Sequence, residues 1–253
     1  MQTKEQKKEN DNLIFGLRPV IEAIRAGKEI ERLFVQSGLK NELFSELMSL
    51  LKARDIVFQY TPLEKLNRLT TKNHQGVVGY ISTITYHKIK EVLPLVFEKG
   101  KAPLILILDR ITDVRNFGAI ARTAECSGVD AIIIPMKGGA QINADAMKTS
   151  AGALHKIAVC REENIKEVIN YFRESGLQII ACTEKTSDIY YQQDYTLPVA
   201  IILGSEEDGV STEYLKLADA HAKIPILGTI SSLNVSVAAG VILYEAVRQR
   251  LLE

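Results

Sequence analysis

Leu203-Gly204-Ser205-Glu206-Glu207-Asp208-Gly209 and Ile230-Ser231-Ser232-Leu233-Asn234-Val235-Ser236-Val237-Ala238 decide how this chain folds. In the first, an apolar run that reads as a buried strand (199–203) ends in a short polar loop, with a helix to follow. In the second, a polar loop leads into a long terminal helix (234–252). Upstream, Asp113-Val114-Arg115-Asn116-Phe117-Gly118-Ala119-Ile120-Ala121-Arg122 has the same design behind the apolar run at 104–109. Open α/β sheets bind ligands outside the carboxyl ends of their strands, where loops offer free backbone groups. The three loops are expected to meet at one site.

Residues 104–253 alternate strand and helix throughout. Strands are expected at 131–134, 156–160, 177–182 and 222–224, with helices at 144–153, 165–174 and near 212–218. Continuous apolar runs mark strands covered on both faces. The fold class is therefore α/β, a mostly parallel sheet with helices on both faces. In the helix behind the 104–109 strand, Asn116 reads as the N-cap. Phe117, Ile120, Ala121 and Ala124 form its apolar stripe, and Gly128 ends it.

The front of the chain forms a smaller α/β domain over residues 12–82, behind a disordered polar tail at 1–11. Helices are expected at 19–25, 41–53 and 63–69, and strands at 30–35, 56–60 and 77–81. The loop Thr70-Thr71-Lys72-Asn73-His74-Gln75-Gly76 gathers donors, acceptors and one imidazole. It reads either as a turn closed by Gly76 with an exposed His74, or as a binding loop. Residues 83–103 read as a connector with a short helix after Pro94.

Composition excludes several classes. With 46% hydrophobic and 25% charged residues, the 253-residue chain has ordinary globular composition rather than that of a disordered chain. Its apolar runs are strand-sized, far short of the roughly 18 residues of a membrane span. The charged N-terminus lacks the apolar core of a signal peptide. Cys126, Cys160 and Cys182 have neither metal-ligand nor CxxC spacing. These features point to a soluble cytoplasmic protein. Residues 1–100 carry 16 Lys and Arg against 12 Asp and Glu, whereas residues 101–253 carry 15 against 19. That asymmetry fits a front domain meeting a polyanion, and equally fits solvated surface charge.

No GxGxxG follows a strand, and the 204–209 loop lacks the Lys-Ser/Thr of a phosphate-binding loop. HExxH, GxSxG and Cys/His clusters are all missing, which argues against metal catalysis and a hydrolytic triad. Each remaining polar cluster has a plain structural reading. Glu206, Glu207 and Asp208 suit the entrance of a helix, Arg122 can pair with Glu125 one turn on, and Ser232 and Asn234 can cap the last helix. Three such loops in one domain are what these plain readings leave unexplained.

Asn116 followed six residues on by Arg122, then Leu203-Gly204-Ser205-Glu206 with Gly209, then Ile224-Pro225 and Ser232-Leu233-Asn234-Val235-Ser236-Val237-Ala238, resemble the three motifs of the SpoU/TrmH family. These are RNA 2′-O-ribose methyltransferases of the SPOUT superfamily. The front domain, with Asn73-His74-Gln75-Gly76, resembles the substrate-binding domain of the RlmB-type subgroup, which modifies a guanosine of 23S rRNA. The resemblance implies a trefoil-knotted catalytic domain at 104–253. It also implies a homodimer packed through the C-terminal helix, where Ala238-Ala239-Gly240 permits close approach. S-adenosylmethionine is expected in the knot without any metal, bound largely by backbone at Gly204, Ile224 and Leu233, with Thr183 and Gly228 nearby.

The family pattern places Asn116, Arg122, Glu206, Ser232 and Asn234 around the reacting atoms. A guanidinium is effectively always protonated, so Arg122 is read as gripping phosphate and countering alkoxide charge, oriented by Glu206 and Asn116. Ser232 and Asn234 are expected to shape the loop and bond the ribose or cofactor. Arg115, Asn73, His74 and Gln75 are expected to meet RNA. Two alternatives remain: the same chemistry on tRNA, and an RNA-binding module without methyl transfer.

Overall fold

A computed structural model describes residues 12–140 and 142–252; the expected tail at 1–11 lies outside the described residues. The chain divides into two compact units between Thr85 and Tyr86.

The first unit runs β1 (Leu13–Phe15), α1 (Leu17–Arg25), β2 (Ile30–Gln36), α2 (Glu42–Ala53), β3 (Gln59–Thr61), α3 (Leu63–Leu69) and β4 (Val77–Ile81). Its sheet has the order β1-β4-β2-β3, with only β2 and β3 parallel. Successive strand residues point to opposite faces. Leu33, Val35 and Val77 therefore pack with α1 and α2, while Phe34 and Val78 pack with Leu66 of α3. Strand β1 is too short for alternation to reveal, and exists by pairing with β4. The strand expected at 56–60 begins only at Gln59, because Ile56 and Phe58 pack against the helical core instead.

The second unit runs α4 (Ile89–Glu98), β5 (Leu104–Leu108), α5 (Val114–Cys126), β6 (Ala131–Pro135), α6 (Ala144–Thr149), β7 (Ala158–Glu162), α7 (Ile165–Glu174), β8 (Gln178–Cys182), β9 (Val199–Leu203), α8 (Thr212–Leu217), β10 (Ala220–Ala222) and α9 (Val235–Arg250). Every ladder of its six-stranded sheet is parallel, in the order β10-β8-β9-β5-β6-β7. Ile105, Ile107, Ala200 and Ile202 form one core with α4 and α7. The alternate residues, Leu106, Leu108, Ile201 and Leu203, are equally buried on the opposite face. The helices left to cover them are α5, α6 and α9, with α5 packed against both of the others. Each such buried Leu or Ile contributes roughly 1.5–3 kcal/mol.

The span read as a connector, residues 83–103, holds a helix through its proline. Pro94 lies inside α4 rather than before it. An interior proline costs about 3 kcal/mol. Burial of Ile89, Leu93 and Val96 along one side of the helix offsets that cost. Glu162 Oε1 also accepts the Ile89 N–H at 3.0 Å, satisfying a donor of the first turn.

Helix α9 runs between the carboxyl and amino ends of the central strands. It starts beside the loop that leaves β9 at its carboxyl end, where Val235 N–H donates to Glu206. At its other end, Arg250 donates to the carbonyls of Ala102, Pro103, Tyr195 and Leu197, just before β5 and β9 begin. Its 16 residues span about 24 Å, enough to run antiparallel along strands of five residues.

Candidate functional site

Strands β10, β8, β9 and β5 are neighbours and parallel, so their carboxyl ends stand side by side. Four loops leave from that edge, beginning at Lys223, Thr183, Gly204 and Asp109. The loop after β9 folds tightly on itself. Gly209 N–H donates to Ser205 O at 2.9 Å, and Asp208 N–H to Ser205 Oγ at 3.2 Å. A Cβ on Gly204 would lie 2.0 Å from the Gly209 carbonyl carbon, so this turn excludes any side chain there.

A clamp from β5 holds the loop. Asp109 is buried, and its Oδ2 accepts from both the backbone N–H and the hydroxyl of Ser211, each at 2.6 Å. Arg110 adopts φ +57°, a left-handed conformation that costs an L-residue about 1–2 kcal/mol. From there its guanidinium reaches Asp109 Oδ1, Asp208 Oδ2 at 2.9 Å and Gly209 O at 3.1 Å. The hydrogen bond to Asp109 is the largest influence raising the Arg110 pKa, so the clamp stays charged. Asp109, Arg110 and Ser211 escaped the sequence reading. The one legible signal was an acid directly behind a wholly apolar strand, a place where a carboxylate must find donors.

The three motif loops are joined by one carboxylate oxygen. Glu206 Oε1 accepts from Asn116 Nδ2 at 3.1 Å, Asn234 Nδ2 at 2.6 Å and Val235 N at 3.3 Å. Asn234 Nδ2 also donates to Asn116 Oδ1 at 3.0 Å. Asn116 is free for this because it is not the N-cap of α5. Asp113 fills that position, its Oδ1 accepting from the Arg115 and Asn116 N–H groups. With the aspartate three residues earlier starting the helix, Asn116 falls inside the first turn. Asn234 does cap α9, its Oδ1 accepting from Ser236 N and Oγ. It therefore serves cap and junction together.

The arginines stand apart from that junction. Arg122 is exposed and hydrogen-bonds neither Asn116 nor Glu206, contrary to the expected orientation. Six residues past Asn116, it points about 240° round the helix. Nor does it pair with Glu125, which meets Lys156. Arg115 and Arg122, seven residues apart, share one exposed stripe of α5 about 10.5 Å along its axis.

Ile224, Gly228, Ser232 and Leu233 belong to the loop between β10 and α9. Across residues 224–233 no backbone hydrogen bond to another described residue is made. Leu227, Ile230 and Leu233 are exposed, and nothing approaches within 4 Å of a Cβ built on Gly228. Free backbone groups beside apolar side chains fit a ligand with polar edges and an apolar face, which describes the nucleoside part of the expected cofactor. Thr183 opens the neighbouring loop, its N–H bonded to Ala222 O. Among the described residues no group of His, Cys, Asp or Glu could hold a metal ion. Burial pushes the Cys160 thiol up to about 12, which makes it a core residue rather than a nucleophile.

The loop at 70–76 belongs to the first unit. His74 is buried, not exposed: its Nδ1 accepts the Gly76 N–H at 3.0 Å and its Nε2 lies 2.9 Å from Asn67 Oδ1. With Nδ1 accepting, the proton sits on Nε2 and is donated to Asn67. Gln75 Oε1 accepts the Leu17 N–H at the start of α1. The His74 ring is thus spent on the turn, whereas Gln75 is exposed and uses only its Oε1 there. Asn73 remains exposed.

Residues 103–244 match the SpoU rRNA Methylase family, and residues 13–87 match the RNA 2′-O ribose methyltransferase substrate-binding family. A Staphylococcus epidermidis protein assigned to the TrmH family of tRNA/rRNA methyltransferases is 32% identical over 240 residues, covering 95% of this chain and 96% of its own. Among solved structures, an AdoMet-bound rRNA methyltransferase from Sinorhizobium meliloti superposes with a TM-score of 0.60 at 26% identity, over 97% of this chain and 90% of that one. A TrmH/SpoU tRNA modifying enzyme from A. aeolicus gives 0.56 at 34% identity, over 65% and 85%.

Proposed function

Because the chain belongs to the SpoU rRNA methylase family, we propose that it methylates a ribose 2′-hydroxyl of RNA from S-adenosylmethionine, with a guanosine of 23S rRNA as its target. The observation that carries this reading is the Asn116–Glu206–Asn234 junction, set beside a loop whose backbone is unpaired. The bound cofactor supplies an activated methyl group; the protein must position the hydroxyl and manage its proton. In this reading residues 104–253 are the catalytic domain and residues 12–82 hold the RNA, supported by the two family matches.

The backbone of Gly204, Ile224 and Leu233, with Gly228 and Thr183 beside it, holds the cofactor. Glu206 fixes Asn116 and Asn234 in place through Oε1, leaving Oε2 for a ligand hydroxyl. Ser232, exposed in the same loop, bonds the ribose. Arg122 grips the RNA phosphate and stabilises the alkoxide that develops as the hydroxyl proton leaves. Arg115 supplies a second phosphate contact one stripe position away. The C-terminal segment follows a knotted path in this reading, supported by the family match over residues 103–244.

A homodimer through α9 belongs to the same proposal. Val237, Tyr244 and Leu251 are each more than half exposed, and with half-buried Val241 they form an apolar stripe at helical spacing. Sedimentation velocity is expected to show a dimer, and Tyr244→Asp a monomer. A monomeric parent protein would remove the interface from the proposal.

The target is tested by mapping 2′-O-methyl groups in 23S rRNA and tRNA from cells with and without the gene. Loss of one guanosine mark in 23S rRNA is the expected result. Loss confined to tRNA favours the second reading, supported by the 34% identity to a tRNA modifying enzyme. No lost mark, together with no cofactor binding by calorimetry, would leave an RNA-binding module.

A further inference from the structure

The two sides of the first unit's sheet hold their cations differently. On the side of α1 and α2, Arg25 is neutralised by Glu46 at 2.6 Å and Glu22 at 3.4 Å, while Arg18, Lys52 and Arg54 are exposed and lie over no aromatic ring among the described residues. On the α3 side, strand register sets Phe15, Val78 and Phe34 in one row, with Leu13, Tyr80 and Arg32 in the next. Helix α3 packs Leu66 and Leu69 on the first row. Lys65 Nζ then lies 5.8 Å from the Phe34 ring centroid and Lys72 Nζ 5.5 Å from that of Phe15. Arg68 is exposed one turn beyond Lys65, and Arg32 is exposed on its strand.

None of these four cations has a carboxylate partner among the described residues, although Glu64 lies on the same helix. Two of them rest on aromatic rings, which holds long side chains in place before any ligand arrives. The turn that follows keeps the next polar group at the surface. His74 is tied inward, while Asn73 is exposed next to Lys72 in the chain. A fixed cluster of unneutralised cations on aromatic supports, with an amide at its rim, suits a flexible polyanion whose bases can be read individually. Single-stranded RNA has that chemistry, whereas duplex RNA offers mainly shape.

We propose that the α3 face of the first unit binds a single-stranded RNA loop, with Arg32, Lys65, Arg68 and Lys72 on its phosphates and Asn73 on a base edge. This rests on the reading of the substrate as RNA. It adds Arg32, Lys65, Arg68 and Lys72, which the motif residues do not mark, to the contact expected at Asn73.

The test compares Lys65→Gln/Lys72→Gln with Lys52→Gln/Arg54→Gln, a pair exposed at the end of α2 on the other side of the sheet. The probe is a fluorescein-labelled RNA stem-loop with a long unpaired loop, followed by anisotropy across a salt series. The α3-face variant is expected to bind about tenfold more weakly at about 0.1 M salt. Its slope of log K against log salt should be shallower by about 1.4, twice the roughly 0.7 per phosphate of single strands. Cofactor affinity and thermal midpoint should match the parent, as should RNA binding by the α2 pair. Equal losses in both double variants, or no loss in the first, overturn the proposal. A parent protein that binds no cofactor and methylates no RNA counts against the enzymatic reading. An active parent with an unaffected α3-face variant counts against this face alone.

Discussion

Arg122→Ala is expected to slow methyl transfer by about 10²–10³-fold while leaving S-adenosylmethionine affinity unchanged. Arg122 is exposed on α5 and makes no hydrogen bond to the Asn116–Glu206–Asn234 junction. The cofactor loop would therefore keep its shape without it. A guanidinium at the surface keeps its proton, and an RNA phosphate alongside would hold that proton more firmly still. Its contribution is then charge: holding the phosphate and offsetting the alkoxide, an effect of about 2.7–4 kcal/mol in the transition state. Arg122→Lys keeps the charge but loses the two-pronged grip, and should fall between alanine and the parent. Calorimetry with the cofactor and single-turnover transfer of labelled methyl groups separate the possibilities. Lost cofactor affinity would mean that Arg122 builds the pocket, and an unchanged rate would remove it from the reaction.

Where burial alone decides the structure, the sequence could be read closely. The all-apolar runs became β5 and β9, and the strand–helix alternation became a wholly parallel sheet. Competition between similar polar groups was harder to resolve. Asp113 and Asn116 are both good caps, and only the register of α5 shows that the aspartate wins and releases the asparagine to Glu206. Pro94 read as a boundary because its intrinsic cost is visible in sequence, while the burial of Ile89 and Leu93 that offsets it is a tertiary fact. His74 looked like a displayed imidazole, yet its two nitrogens find Gly76 and Asn67 only once the turn closes. The Asp109–Arg110 clamp lay beyond local reasoning, since its partners Asp208, Gly209 and Ser211 are about a hundred residues away.

Gly204→Ala should abolish cofactor binding in practice, weakening it at least about 100-fold, and should lower the thermal midpoint by several degrees. The added Cβ would fall 2.0 Å from Gly209 C, 2.1 Å from Val210 N and 2.2 Å from Gly209 O. All three are backbone atoms, so no rotamer change relieves the clash and the turn must open. Overpacking of this kind costs about 1–3 kcal/mol, and each kcal/mol lowers the midpoint of a domain this size by about 2–4 °C. Opening the turn also breaks the Gly209–Ser205 hydrogen bond and moves Gly209 O away from Arg110. Glu206, two residues along, then loses its placement against Asn116 and Asn234, so the motif loops separate together. Gly228→Ala is the matched control, because nothing lies within 4 Å of its added Cβ and its backbone is not left-handed. It should keep the parental midpoint and weaken only cofactor binding. Differential scanning calorimetry with cofactor titration of both variants reads the contrast. A Gly204→Ala protein with parental midpoint and affinity would show that the turn is not what holds the junction together.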